Sequence, residues 1–143
     1  ELMKKHNVAL CPTLAAGDAI EQYQGWKKGV DSDPARIVKK KKSFKLVLEA
    51  GVTIVAGGDV GVFPHGDNVR ELEMMVQYGM NPLSVLQSVT SVNAKAFGYE
   101  NSIGQIKNGL LADLIVVDGD PVKNISNLRK ISLVIKDGTI FKQ

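Results

Sequence analysis

Apolar and polar residues form blocks along the chain that predict alternating strands and helices. Val8–Cys11 is a short apolar run that ends at Pro12. Val52–Ala56 is a continuous apolar run of the kind buried on both faces of a parallel sheet. A helix is predicted between the two runs, with Asp33 as its capping residue and Pro34 at its first position, where a missing N–H costs nothing. This order of elements is typical of β/α units.

One side of the predicted helix is apolar, and Gly51 ends the helix. The residues of this apolar stripe are Ile37, Val38, Phe44, Val47 and Leu48. The segment before the helix, residues 13–32, is mixed and polar with three glycines. It is interpreted as a long loop with one helical turn.

Further helices are predicted between residues 68 and 98. Asn68 and Glu71 have the spacing of a capping box for a helix that runs to Tyr78. Asn81 begins a second helix, and Thr90 or Ser91 begins a third that ends near residue 98.

Beyond residue 103 the pattern changes to short apolar runs separated by turn residues. Leu114–Val117, Leu133–Lys136 and Thr139–Phe141 are the clearest predicted strands. Asp137-Gly138 is predicted to join the last two as a tight hairpin. Residues 1–98 therefore indicate an α/β structure, and residues 103–143 an all-β structure.

Composition excludes several classes of protein. The chain has 143 residues, 44% hydrophobic and 23% charged, which is typical of globular domains and not of disordered chains. No apolar run approaches the ~20 residues that span a bilayer. The only cysteine, Cys11, cannot form an internal disulfide, so no oxidising compartment is implied and a cytoplasmic location is expected. The chain begins at Glu1 within a helical pattern, so we expect a piece of a longer protein.

The basic residues are concentrated in the run Lys39–Lys42. Such a run could bind nucleic acid or acidic lipid. Because it falls on the predicted helix, mostly opposite the apolar stripe, a solvated helix face is the favoured interpretation. Neither nucleic acid nor a membrane is expected as a partner.

Asp59 is the main candidate for a catalytic or metal-binding residue. It follows Gly57-Gly58 just past a buried strand, where parallel-sheet enzymes keep their active sites. Such a carboxylate can bind a metal and accept a proton from water. The alternative, which the local sequence favours, is that Asp59 only caps a turn.

The remaining candidates are weaker. His65 lies in a Gly/Pro loop on the same rim, where it could contact substrate or simply be solvated. His6 is expected on a helix surface. Cys11 is expected to be a small core residue.

Several segments in order resemble the amidohydrolase superfamily of metal-dependent (β/α)8-barrel hydrolases. These are Cys11–Leu14, Glu49–Asp59, Tyr78–Leu83, Thr90–Ala94, Gly104–Gly109, Ala112–Pro121 and Val134–Gly138. The branch that the chain resembles most comprises imidazolonepropionase-related and prolidase-like zinc peptidases. These enzymes cut C–N bonds in dipeptides, N-acyl amino acids or cyclic amides.

The resemblance implies a fold and roles for particular residues. Residues 1–100 would be the C-terminal portion of the barrel, with its last two strands and helices, and residues 101–143 part of a composite β-sandwich. Val8–Cys11 would be strand seven and Val52–Ala56 strand eight. Asp59 matches the aspartate that binds the metal and shuttles the proton, and His65 matches a substrate-side loop.

Two departures from the family pattern change the expectation. The family usually has Gly-Thr-Asp where this chain has Gly57-Gly58-Asp59, so a threonine hydroxyl is lost. The family's other metal ligands belong to segments upstream of this sequence. The divalent metal, expected to be zinc in the full-length protein, would therefore have an incomplete site here.

The sequence thus predicts a piece of an amide hydrolase that is inactive alone. Its expected partners are a small amide or dipeptide substrate, and either further copies of itself or the missing N-terminal part of the barrel. The alternative is a non-catalytic assembly module that pairs through an exposed sheet edge.

Overall fold

A computed structural model describes residues 1–142, which form two compact units. The first unit is Glu1–Met80, and the second begins at Asn81. The predicted boundary near residue 100 concerns the domains of a longer protein and stays a prediction.

The two predicted strands of the first unit pair in parallel, but only over one residue each. Leu10 forms a parallel bridge with Ile54. The Leu10 N–H donates to the Thr53 carbonyl at 2.9 Å, and the Val55 N–H donates to the Leu10 carbonyl at 2.9 Å. Ile54 and Val55 are buried, as the continuous apolar run predicts.

The first part of the segment interpreted as a loop, residues 13–32, is a helix, so the prediction was wrong for that part and holds for the rest. After the short helix α1 (Leu2–Lys5), α2 spans Leu14–Tyr23. Every residue from Leu14 to Ala19 is buried, including the glycine and the aspartate of this stretch. Because these six residues are buried around the whole helix, the first half of α2 has no solvent-facing polar side and shows no amphipathic period.

The predicted basic helix is α3, Ala35–Glu49. It buries Ile37 and Phe44, whereas Val38 of the predicted stripe is 52% exposed. Asp33 makes no capping bond to α3, and its carboxylate instead forms an ion pair with Lys41.

The last helix of the first unit is α4, Val69–Gln77. Asn68 precedes it but forms no side-chain cap, so the predicted capping box is absent. The ring of Tyr78 packs edge-on against Phe44 with centroids 6.3 Å apart. The buried apolar residues of this unit are Leu14, Ala15, Ala16, Ala19, Ile37, Phe44, Ile54, Val55, Phe63, Leu72, Met74, Met75 and Met80.

The second unit begins with a nearly continuous helical run. Helix α5 is Pro82–Gln87, a π-helical turn follows at Ser88–Val92, and α6 is Asn93–Ala96. Asn81 caps α5 by accepting a hydrogen bond from the Leu83 N–H at 2.9 Å, as predicted.

A three-stranded antiparallel sheet completes the second unit, in the order β1-β2-β3. The strands are β1 (Leu114–Val117), β2 (Ile131–Lys136) and β3 (Thr139–Lys142), and a 3₁₀ helix at Ile125–Arg129 precedes β2. Leu114 lies opposite Ile135, and Lys136 opposite Thr139. The predicted hairpin is confirmed because Asp137 and Gly138 both have positive φ, at 48° and 74°, as a two-residue type I′ turn requires.

Within the described residues, every helix is too short or too polar to cross a bilayer.

The packing of Phe44 gives a direct test of the first unit. Phe44→Ala should lower the free energy of unfolding by about 3–5 kcal/mol because it empties a buried aromatic site. Val38→Ala on the same helix should change it by less than about 0.5 kcal/mol, since that side chain is half exposed. Urea denaturation measures both, and equal effects would contradict this packing.

Candidate functional site

Asp59 lies just beyond the carboxyl end of the paired segment around Ile54. Its side chain is exposed, and its backbone is left-handed with φ of 59°. A left-handed backbone is uncommon for residues other than glycine, although aspartate tolerates it better than most. The carboxylate is thus presented to solvent on a sharply turned backbone.

The two glycines before Asp59 are closely approached by neighbouring groups. A Cβ atom at Gly57 would lie 2.8 Å from the Cys11 sulfur, and one at Gly58 would lie 3.0 Å from the Phe63 ring. The Cys11 thiol also donates a hydrogen bond to the Gly57 carbonyl at 3.6 Å. A side chain at either position would therefore require the Cys11 thiol or the Phe63 ring to shift.

Cys11 is exposed and is not the core residue that the sequence indicated. Partial burial, then the nearby carboxylate of Glu71 and, more weakly, that of Asp59, raises the pKa of the Cys11 thiol. A raised pKa keeps the thiol protonated near neutral pH, which does not suit a nucleophile.

His65 is exposed in a turn that the Asp67 N–H closes by donating to the Pro64 carbonyl at 3.3 Å. It shares one connecting segment with Asp59, and the buried Phe63 lies between them in sequence. In residues 1–142, no hydrogen bond joins their side chains. The roles expected for both residues stay predictions.

Glu71 is a buried carboxylate that the sequence analysis assigned to a different contact. It was expected to cap its own helix, yet its two oxygens accept hydrogen bonds from the Leu14 N–H at 3.0 Å and the Ala15 N–H at 2.6 Å. It therefore caps the N-terminus of α2 from another helix. Burial raises the pKa of Glu71, although the two N–H groups and the charge of Lys40 oppose that rise.

Asp18 is the second buried acid, and the sequence analysis missed it. Its fully buried carboxylate forms an ion pair with Arg70, a second with Lys28 at 2.8 Å, and accepts a hydrogen bond from Gln22 at 2.6 Å. Burial would raise the pKa of Asp18, but the bonds from Lys28 and Arg70 outweigh it, so the pKa lies below its ordinary value.

The lysine run is only partly a solvated face. Lys39 and Lys42 are exposed, whereas Lys40 donates to the Pro12 carbonyl at 2.7 Å. The ammonium of Lys41 lies 5.4 Å from the centre of the Tyr78 ring. Lys40 and Lys41 therefore make contacts within the first unit.

The metal expected from the resemblance was tested against the donors present. From residue 1 to 142, no group of three or more His, Cys, Asp or Glu side chains is placed to hold a metal ion. Asp59 on its own does not make a metal site.

With the fold and these contacts established, comparison with known proteins identifies the family. The family described as "Amidohydrolase family" matches residues 1–141, and the chain belongs to it. A search of curated proteins gave no significant match.

Solved structures agree with this assignment. A Xaa-Pro dipeptidase with bound methionine in its active site is 34% identical, with a TM-score of 0.86, over 99% of this chain and 36% of that one. An amidohydrolase is 28% identical, with a TM-score of 0.80, over 99% and 36%. The A. niger ochratoxinase is 25% identical, with a TM-score of 0.79, over 99% and 33%.

The chain spans about a third of the length of these structures, 36%, 36% and 33%. The predicted fold class is confirmed, since this α/β chain with its small antiparallel sheet matches the C-terminal part of amidohydrolase barrel proteins. The family resemblance inferred from the sequence is confirmed with it.

The Asp18 cluster should make stability depend on pH in a defined direction. Because the pKa of Asp18 is lowered in the folded chain, its ionised form stabilises the fold above about pH 4, and this contribution is lost as pH falls through the folded-state pKa. Asp18→Asn should cost about 2–3 kcal/mol near neutral pH, and the deficit should shrink markedly in acid.

Denaturation of both chains across pH measures this effect. Asp33→Asn, which breaks a partly exposed pair, is the control and should cost less than about 1 kcal/mol. A deficit for Asp18→Asn that is constant with pH would contradict the assignment.

The cap provided by Glu71 predicts a graded loss of stability. Glu71→Ala leaves two buried N–H groups without acceptors and should cost about 2–4 kcal/mol in urea denaturation. Glu71→Gln keeps one acceptor oxygen and should cost about half as much. Glu49→Ala, which changes an exposed residue, is the control. If Glu71→Ala lowers the free energy of unfolding no more than this control does, the cap is not a significant stabilising contact.

Proposed function

We propose that this chain is the C-terminal part of a hydrolase that cuts an amide C–N bond, with Asp59 as the residue that moves the proton. The supporting observation is the position of Asp59, exposed directly after a buried segment that pairs in parallel with Leu10. Parallel-sheet enzymes collect catalytic groups at this end of their strands.

A dipeptide is the substrate that the comparisons favour among those considered from the sequence. The solved structure that is 34% identical over 99% of this chain is a Xaa-Pro dipeptidase. N-acyl amino acids and cyclic amides remain within the same chemistry, because all three present a C–N bond to hydrolysis. We assign His65, exposed in the segment after Asp59, to contact with the substrate.

The role of Asp59 follows from carboxylate chemistry. As the ionised group it accepts a proton from the attacking water, and once protonated it returns that proton to the leaving nitrogen. The same carboxylate is proposed as one ligand of a divalent metal, zinc, in the longer protein. When bound, such an ion would supply Lewis-acid activation of water.

The chain alone is proposed to be inactive because, among the described residues, no group of three or more His, Cys, Asp or Glu side chains is placed to hold a metal ion with Asp59. Completion of the site would come from the N-terminal part of the barrel or from a second copy of the chain. Either one would also cover surface that the chain exposes.

A second function is supported by the edge of the sheet in the second unit. Strand β1 lies at one edge of the order β1-β2-β3, and its Ile115 and Val116 are 53% and 47% exposed. Unpaired edges with apolar side chains recruit further strands. A non-catalytic assembly module would use this edge and leave Asp59 as a turn residue.

The two proposed functions predict different effects of Asp59→Asn on hydrolysis. In the longer protein that contains this chain, Asp59→Asn should lower kcat for a Xaa-Pro dipeptide by about a thousandfold, because the proton acceptor is removed. Asp118→Asn, which changes an exposed aspartate directly after β1, should leave kcat unchanged. Retained hydrolysis in Asp59→Asn would exclude the catalytic role.

The chain of 143 residues by itself should hold far less than one zinc per chain and hydrolyse no dipeptide. Metal analysis after purification, together with a dipeptidase assay, tests this expectation. One zinc per chain that is lost in Asp59→Asn would instead mean that the site is completed within or between copies. Light scattering then distinguishes the two arrangements, since only the second requires association.

A further inference from the structure

The segment that carries Asp59 closes on itself within five residues. The Val62 N–H donates to the Asp59 carbonyl at 3.3 Å, and the Gly61 N–H donates to the Phe63 carbonyl at 3.0 Å. Val60 and Gly61 are exposed, whereas Phe63 is only 2% exposed. The chain thus leaves the core at Asp59, turns through solvent and re-enters the core at Phe63.

The ring of Phe63 returns to the backbone just before Asp59. A Cβ atom at Gly58 would lie 3.0 Å from Cζ and 3.5 Å from Cε1 of that ring. The Glu71 methylene lies 3.4 Å from the same position. The backbone of Gly58 is therefore packed against an aromatic ring and against α4.

The Phe63 ring also lies next to a cation. The Arg70 guanidinium lies 5.7 Å from the ring centroid, within the range of a cation–π contact. Arg70 is in turn fixed by its ion pair with the buried Asp18. A row of contacts thus runs from α2 through Arg70 and Phe63 to the residue before Asp59.

This row of contacts ends next to the left-handed backbone of Asp59. Such a conformation carries strain and persists where the surroundings over-determine it, often at functional sites. We propose that Phe63 is a positioning residue that, through its contact with Gly58, holds the Asp59 backbone and so aims its carboxylate. This inference rests on the proton-transfer role of Asp59 proposed above.

Kinetic measurements on the longer protein distinguish a positioning role of Phe63 from simple core packing. Phe63→Leu keeps an apolar side chain but removes the ring, and should lower kcat for a Xaa-Pro dipeptide by about tenfold with KM changed less than about twofold. Phe44 is equally buried at 2% but is not among the groups against Gly58, so Phe44→Leu should leave kcat within about twofold of wild type. Equal losses in the two variants would overturn the proposal.

Compensation between the two positions tests the contact itself. Gly58→Ala places a methyl group against the ring and should lower kcat, whereas the Gly58→Ala, Phe63→Leu double variant should recover part of that loss because the leucine leaves room. Multiplicative effects of the two changes would show that the positions do not interact.

Hydrogen–deuterium exchange provides a measurement that does not depend on turnover. In the longer protein, Phe63→Leu should speed exchange in a peptide covering residues 56–62 by about tenfold, and Phe44→Leu should not. Unchanged exchange overturns the positioning role whatever the activity. Faster exchange in Phe63→Leu, together with a wild-type protein that hydrolyses no dipeptide, would support the contact and reject the proposed function.

Discussion

The first unit depends on one carboxylate that serves a helix other than its own. Glu71 of α4 accepts hydrogen bonds from the first two N–H groups of α2, where the helix dipole also favours negative charge. Thr13, directly before them, has φ of 44°, a costly conformation for a β-branched residue. Removing the acceptor would leave a buried helix end unsatisfied, so the turn after Leu10 and the start of α2 are fixed together.

The first turn of α4 also contacts the segment that carries Asp59. Arg70 reaches Asp18 on α2, while the neighbouring Glu71 packs its methylene beneath Gly58. Two adjacent side chains therefore connect α2, α4 and the backbone before the candidate catalytic residue. The backbone that carries the exposed Asp59 is thus packed against side chains that are themselves held by buried charges. These buried contacts restrict the backbone next to the solvent-facing carboxylate and so help to orient it.

The sequence predicts those parts of the structure whose signals are local. The Asp137-Gly138 hairpin, the apolar segment Val52–Ala56 and helix α3 follow from turn chemistry and periodicity. Helix α2 could not be found this way, because its first six residues are buried and show no amphipathic period. Glu71 has the spacing of a capping box, and only tertiary structure shows that its partner lies 57 residues away. The position of Asp59 follows a general rule of parallel sheets, but its support from Phe63 does not.

The close contact at Gly58 also constrains how this protein can change over evolutionary time. With a ring at position 63, every residue other than glycine at position 58 meets it at 3.0 Å. The threonine usual in the family at the position of Gly58 would require the Phe63 ring to shift by a few tenths of an ångström, a smaller side chain at position 63 or another path of the loop. The two sites should therefore covary among relatives, with a small residue at one accompanying a large residue at the other. A substitution at one of the two sites should therefore favour a compensating substitution at the other.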